Sequence, residues 1–142
     1  MNKNSLIKEL KVDEGFMPHE YKDTLGYSTI GYGRLIDKRK GGGITEAEAD
    51  YLLGNDVDRV WDQLKKALPW IIDQPEAIQQ ALSMMAFQMG GKAVTGFSTT
   101  LKLIKSGNYA AAADNAMQSL WARQTPVRAS KVTNLIRGAN KI

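Results

Sequence analysis

The chain has 142 residues, 43% hydrophobic and 24% charged, which is one globular domain's worth and enough to bury a core. With no cysteine and a single histidine, His19, it cannot form a disulfide scaffold, use a thiol nucleophile or build a multi-histidine metal site; carboxylates are the leading reactive groups left to a hydrolase. The net charge of +4 is unevenly spread: residues 1–60 carry nine Lys/Arg against eleven Asp/Glu, whereas residues 61–142 carry ten against four.

The first residues, Met1-Asn2-Lys3-Asn4-Ser5, lead into a segment with a charge every few positions. They lack the apolar stretch of about 7–15 residues that marks a signal peptide. No run anywhere reaches the roughly 18 apolar residues of a membrane span. The expectation is a chain made and folded in the cytoplasm, without stable membrane insertion. Residues 5–13 read as a short amphipathic helix with Leu6, Ile7, Leu10 and Val12 as a loose stripe and Gly15 just past its end. From Phe16 to Ile36 the texture turns β-like. Tyr21, Tyr27, Thr29, Ile30, Tyr32, Leu35 and Ile36 are strand formers, punctuated by Gly26, Gly31 and Gly33. His19 falls here and is expected on an exposed loop rather than as a ligand. A polar, glycine-rich loop follows over residues 37–43.

Thr45 and Glu48 have the spacing of a capping box. Behind them Ala49, Leu53, Val57, Val60, Trp61, Leu64 and Leu68 recur at helical spacing, which predicts a helix over residues 46–67 ending before Pro69. Beyond it every segment reads as helix. Asp73-Gln74-Pro75-Glu76 is an N-terminal signature with proline in the first turn. Residues 78–89 are apolar on nearly every face, as expected of a buried central helix with Met84, Met85 and Met89 as core filler. Shorter helices are predicted over 98–105, 108–121 with Asn108 as cap, and 126–137 with Thr125 as cap, Pro126 at the first position and Gly138 as terminator.

Glu14, Asp23 and Thr29 are the leading chemical candidates. A helix–turn–hairpin can fold both carboxylates toward one cleft. Glycoside hydrolysis needs one acid to protonate the leaving oxygen and a second carboxylate to activate water or meet the developing positive charge. Spacing alone also admits a solvated acidic surface. The basic second half, with Arg123, Arg128, Lys131, Arg137 and Lys141 after the last acid Asp114, favours an anionic partner or else a solubilising cationic face.

Three segments carry a resemblance: Asp13-Glu14-Gly15, Tyr21-Lys22-Asp23-Thr24 and Gly26-Tyr27-Ser28-Thr29-Ile30-Gly31-Tyr32-Gly33. They closely resemble the active-site segment of the T-even phage lysozymes, family 24 glycoside hydrolases, in which Glu, Asp and Thr stand at this spacing. Asn55-Asp56-Val57-Asp58, Phe87-Gln88-Met89-Gly90, Gly96-Phe97 and the stretch from Trp121 to Arg128 continue the likeness in order along nearly the whole chain.

The resemblance implies cleavage of the β-1,4 bond between N-acetylmuramic acid and N-acetylglucosamine in peptidoglycan. Glu14 would be the general acid, Asp23 the second carboxylate and Thr29 a water-positioning group. Leu35, Phe87, Gln88, Thr100 and Asn115 would bind the saccharide, and Arg128 would form a salt bridge to the catalytic glutamate. No cofactor or metal is implied. Two departures stand out. The segment between Ile36 and Ile44 is shorter than in similar family members, and Arg34 replaces a histidine whose carboxylate partner matches Asp56, so an Arg34–Asp56 ion pair is expected.

The fold expected is α+β and lysozyme-like in one 142-residue domain. A small β-hairpin lobe (about 12–45) and a larger helical lobe (about 69–142, with the N-terminal helix) would be joined by the long helix. The role implied is a monomeric phage endolysin held in the host cytoplasm until a holin-type pore gives it access to the periplasm and wall. Three rivals remain: a lytic transglycosylase using Glu14 alone, a basic nucleic-acid-binding domain, and a catalytically dead wall-binding module. No nucleic-acid partner is expected, because the cations do not gather on one helix.

Overall fold

A computed structural model describes residues 1–139. Their backbone forms an antiparallel sheet of three short strands near the N-terminus and a succession of helices, an α+β lysozyme-like architecture as the sequence predicts. The chain divides into two compact units, Met1–Tyr51 and a second beginning at Leu52.

In the first unit, helix α1 spans Lys3–Glu14. It begins two residues earlier than the apolar stripe suggests because the Asn2 side chain accepts the Ser5 N–H at 3.0 Å. Gly15, at φ 68°, ends it directly after Glu14. No residue of α1 is buried, and Leu6, Ile7, Leu10 and Val12 all remain exposed. Strands β1 (Met17–Lys22), β2 (Ser28–Gly31) and β3 (Arg34–Leu35) pair in sequence order, with Tyr21 opposite Thr29 and Thr29 opposite Leu35. Register is irregular between Met17 and Tyr21, where Pro18 has no N–H to give to the ladder. His19 is exposed but lies on β1 rather than on a loop.

Helix α2 covers Glu46–Ala67 and carries the predicted capping box in full. Glu48 Oε1 accepts the Thr45 N–H at 2.9 Å, and Thr45 Oγ1 accepts the Glu48 N–H at 3.1 Å. The expected Arg34–Asp56 pair is replaced by other partners. Arg34 donates to Glu48 Oε2 and to the Gly43 carbonyl, both at 2.8 Å, while Asp56 accepts from Arg59 one turn along α2. Glu48 stands in the first turn of α2, so its second oxygen meets the arginine first. Asp56 lies two turns further on, about 12 Å at helical rise.

The second unit holds the core. Leu64, Ile71, Ile78, Leu82, Met85, Val94, Ile104, Val132 and Ile136 are fully buried, and among the described residues every buried hydrophobic side chain lies between Leu64 and Ala139. Helix α3 (Glu76–Met89) supplies Ile78, Ala81, Leu82, Met85 and Ala86 to it. Phe87, in the stretch read as apolar on nearly every face but also matched to a saccharide-binding position by the resemblance, is half-exposed at 51%. Pro75 sits at the N-cap of α3 rather than within its first turn, because Pro69–Asp73 form a separate 3₁₀ turn. Gln79 ties that turn to α3 by donating to the carbonyls of Ile71, Ile72 and Gln74.

Helices α4 (Gly91–Thr95) and α5 (Ser98–Lys105) follow. The helix expected over 108–121 is two, α6 (Tyr109–Ala116) and α7 (Leu120–Gln124). The break falls at Ser119, whose hydroxyl accepts the Ala122 N–H and starts a new helix, a competition that serine side chains win at helix starts. Asn108 and Thr125 occupy the expected cap positions without capping by side chain. Asn108 bonds Ser106 instead, and Thr125 donates to the Trp121 carbonyl. Helix α8 is Pro126–Arg137, as predicted.

Candidate active site

Glu14 is the last residue of α1, immediately before the chain turns through Gly15 into the sheet. Its carboxylate lies against the α-carbon of Gly33, in the turn between β2 and β3. A methyl group on Gly33 would stand 2.8 Å from the Glu14 carboxyl carbon and collide with Oε2. Gly33 also has φ 70°, a conformation glycine adopts without cost and other residues rarely do. From sequence alone Gly33 reads only as a turn residue. The Gly31-Tyr32-Gly33 pattern is the available signal that the backbone there admits a close neighbour. Within Met1–Tyr51, the Glu14 carboxylate takes part in no side-chain hydrogen bond or ion pair.

Asp23 closes the β1–β2 turn. Its Oδ1 accepts the N–H groups of Leu25 at 2.9 Å and Tyr27 at 2.8 Å, and its own N–H donates to the Tyr27 carbonyl. The side chain is thereby fixed through Oδ1. Thr29 is the one buried polar residue of the first unit, 2% exposed, and its hydroxyl donates to the Tyr27 carbonyl at 2.9 Å. Asp23 and Thr29 thus share Tyr27 as a backbone anchor, and Leu35 pairs with Thr29 across the sheet. The first unit brings Thr29 and Leu35 onto one small sheet, sets Asp23 in its first turn and seats Glu14 over its second.

The remaining expected binding residues lie in the second unit, at two hollows. Phe87, Gln88 and Arg128 line a largely apolar groove of about 1150 Å³ together with Val57, Met84 and Val127. Gln88 is committed to the fold as well. Its Oε1 accepts the Trp121 indole N–H at 2.9 Å and its Nε2 donates to Thr125 at 3.3 Å, which joins α3 to α7. Arg128 has no carboxylate partner within this unit among the described residues. Thr100 and Asn115 line a smaller hollow of about 550 Å³ beside Phe97 and Trp121, two aromatic rings that meet edge to face at 6.0 Å. Thr100 is 1% exposed and donates to Asn115 Oδ1 at 2.7 Å, which fixes the asparagine amide with its N–H₂ end unspent. In the sequence Phe97 and Trp121 stand out only as part of the resemblance. Their place in the wall of this hollow, beside polar groups, marks them as lining residues.

No cluster of metal-ligating side chains occurs among the described residues, and no helix there is long and apolar enough to cross a membrane. The sequence pattern that defines phage lysozymes matches residues 11–137.

The chain belongs to the phage lysozyme family. Membership makes it a lysozyme-type hydrolase, the class expected from the sequence. Among its relatives, Probable T4-type lysozyme 1 of Dictyostelium discoideum is 33% identical, with 93% of this chain and 94% of that protein aligned. The Pre-baseplate central spike protein Gp5 of Enterobacteria phage T4 is 34% identical across 96% of this chain, yet the match spans only 28% of the spike protein. Peptidoglycan hydrolase gp36 of Pseudomonas phage phiKMV is 33% identical over 86% of this chain and 14% of its own length. The region similar to this chain is nearly the whole of one relative and a small part of the other two.

Proposed function

We propose that this phage-lysozyme-family chain hydrolyses the β-1,4 bond between N-acetylmuramic acid and N-acetylglucosamine in peptidoglycan. Glu14 gives its proton to the bridging oxygen, and the bond from that oxygen to the sugar's anomeric carbon breaks. Water forms the new bond to that carbon and yields its proton to the Asp23 carboxylate. The resemblance favours attack from the opposite face, with inversion. Thr29, whose hydroxyl hydrogen is spent on the Tyr27 carbonyl, offers only lone pairs and so acts as an acceptor toward that water. Leu35, Phe87, Gln88, Thr100 and Asn115 hold the saccharide, and Arg128 forms a salt bridge to the Glu14 carboxylate.

The observation that carries this reading is the Glu14 carboxylate seated over a glycine that leaves it room. Supporting it are the family relationship and a relative named as a peptidoglycan hydrolase. The biological role that fits is an endolysin released to the wall through a holin-type pore. Mass spectrometry of purified wall digested by the protein tests the chemistry. Muropeptides with reducing N-acetylmuramic acid ends are expected, whereas 1,6-anhydro ends would assign a transglycosylase and intact glycan would remove the enzymatic reading.

A further inference from the structure

The first unit exposes two aromatic rings next to the proposed general acid, and neither has a role in the fold. Phe16, two residues after Glu14, is 62% exposed. Tyr32, directly before the Gly33 on which the Glu14 carboxylate rests, is 45% exposed. Their ring centroids are 5.5 Å apart at 41°, so they form one tilted surface rather than two isolated side chains. The Lys11 ammonium lies 5.4 Å from the Tyr32 centroid, close enough for a cation–π contact that holds the tyrosine from one side. In a unit where no hydrophobic side chain is buried among the described residues, these rings contribute nothing to a core.

Three elements converge to build the surface. Lys11 comes from the last turn of α1, Phe16 from the link into β1, and Tyr32 from the β2–β3 turn, where the positive φ values of Gly31 and Gly33 set it between two glycines. Consecutive α-carbons are 3.8 Å apart, so both rings start within two residues of the reacting carboxylate or its glycine seat. A pyranose ring presents a face of C–H groups and a rim of hydroxyls. An exposed aromatic pair can cover that face while the rim stays in water, the usual division of labour in a site with few polar anchors.

We propose that Phe16 and Tyr32 form a saccharide-stacking subsite that binds an N-acetylated hexosamine ring next to the bond Glu14 protonates. The inference rests on the hydrolase reading and deepens it by naming two further substrate-contacting residues. Lys11 is a positioning residue that fixes the Tyr32 ring.

The test uses two readouts on the full chain. In the first, an N-acetylglucosamine pentamer is titrated into Glu14→Gln protein while the ring proton resonances of Phe16 and Tyr32 are followed by NMR. In the second, wall-fragment kinetics compare Phe16→Ala, Tyr32→Ala and Tyr32→Phe with Tyr51→Ala, an exposed aromatic outside the surface. Ring shifts that saturate with the pentamer are expected. KM should rise by about tenfold for each alanine variant at the surface, by more than kcat changes and by more than for Tyr32→Phe, which keeps the ring, with Tyr51→Ala near wild type.

Unmoved ring resonances would overturn the subsite, and so would an unchanged KM in both alanine variants. If an alanine variant fails to fold, the titration needs no change at either ring and decides alone. If wild type leaves wall intact but the pentamer still moves both rings, the subsite stands and the hydrolase reading falls. If wild type digests wall while the rings stay silent, the hydrolase reading stands and the subsite falls.

Discussion

At Gly33 a single methyl group decides whether the Glu14 carboxylate can keep its seat. Gly33→Ala forces a non-glycine residue into the left-handed region, at about 1–2 kcal/mol, and pushes a carbon into the carboxylate. The variant should stay folded, as circular dichroism would show, while kcat for wall digestion falls at least about tenfold through misplacement of the acid. Gln88 has the opposite character. Expected to touch saccharide, it also satisfies the Trp121 indole N–H, and Trp121 is only 8% exposed. Gln88→Ala leaves that donor unpaired and should lower unfolding free energy by about 1–3 kcal/mol in denaturant melts. Glu14, Asp23 and Thr29 stand out as candidates in the sequence because their spacing and neighbours form a pattern. That Asp23 spends one oxygen on the Leu25 and Tyr27 amides, or that Thr100 spends its hydroxyl on Asn115, is not. Those choices depend on side-chain directions that no spacing encodes.

Among elements, the start of α2 is the place where local chemistry and pH meet. Glu48 is held below its ordinary value, chiefly by the backbone and side-chain hydrogen bonds with Thr45 and to a smaller degree by the Arg34 charge. Its folded-state value being depressed, the stabilisation is complete above the ordinary glutamate value of 4.5 and is lost as pH falls from there through the folded one. Thermal melts of wild type and Glu48→Gln should therefore differ at neutral pH and converge under acid. The cap at Thr45 and the ends set by Gly15 and Pro69 are legible because each is a local signal. The split between α6 and α7 is not. An alanine-rich run continued by Met117 and Gln118 reads as one helix until Ser119 is seen capping the next.

For the whole molecule, the deciding quantities are where the apolar burial and the charge fall. The helical unit contains the buried hydrophobic core, and the all-apolar stretch at residues 78–89 announces it. Phe87 escapes that core to line a groove, which total hydrophobicity could not reveal. The cationic excess of residues 61–142 should aid capture of an anionic envelope. Lysis rates should then fall steadily across a salt series as screening shortens the reach of that field, and a rate independent of salt would remove the electrostatic contribution. The family match covers residues 11–137, and the similar region spans 94% of one relative and 28% of another.

The most direct measurement is the rate at which Glu14→Gln releases reducing ends from purified peptidoglycan, set beside wild type and checked for an unchanged melting curve. Loss of proton donation predicts a fall of at least about a hundredfold with the fold intact. Digestion by the amide variant at the wild-type rate would contradict acid catalysis by Glu14.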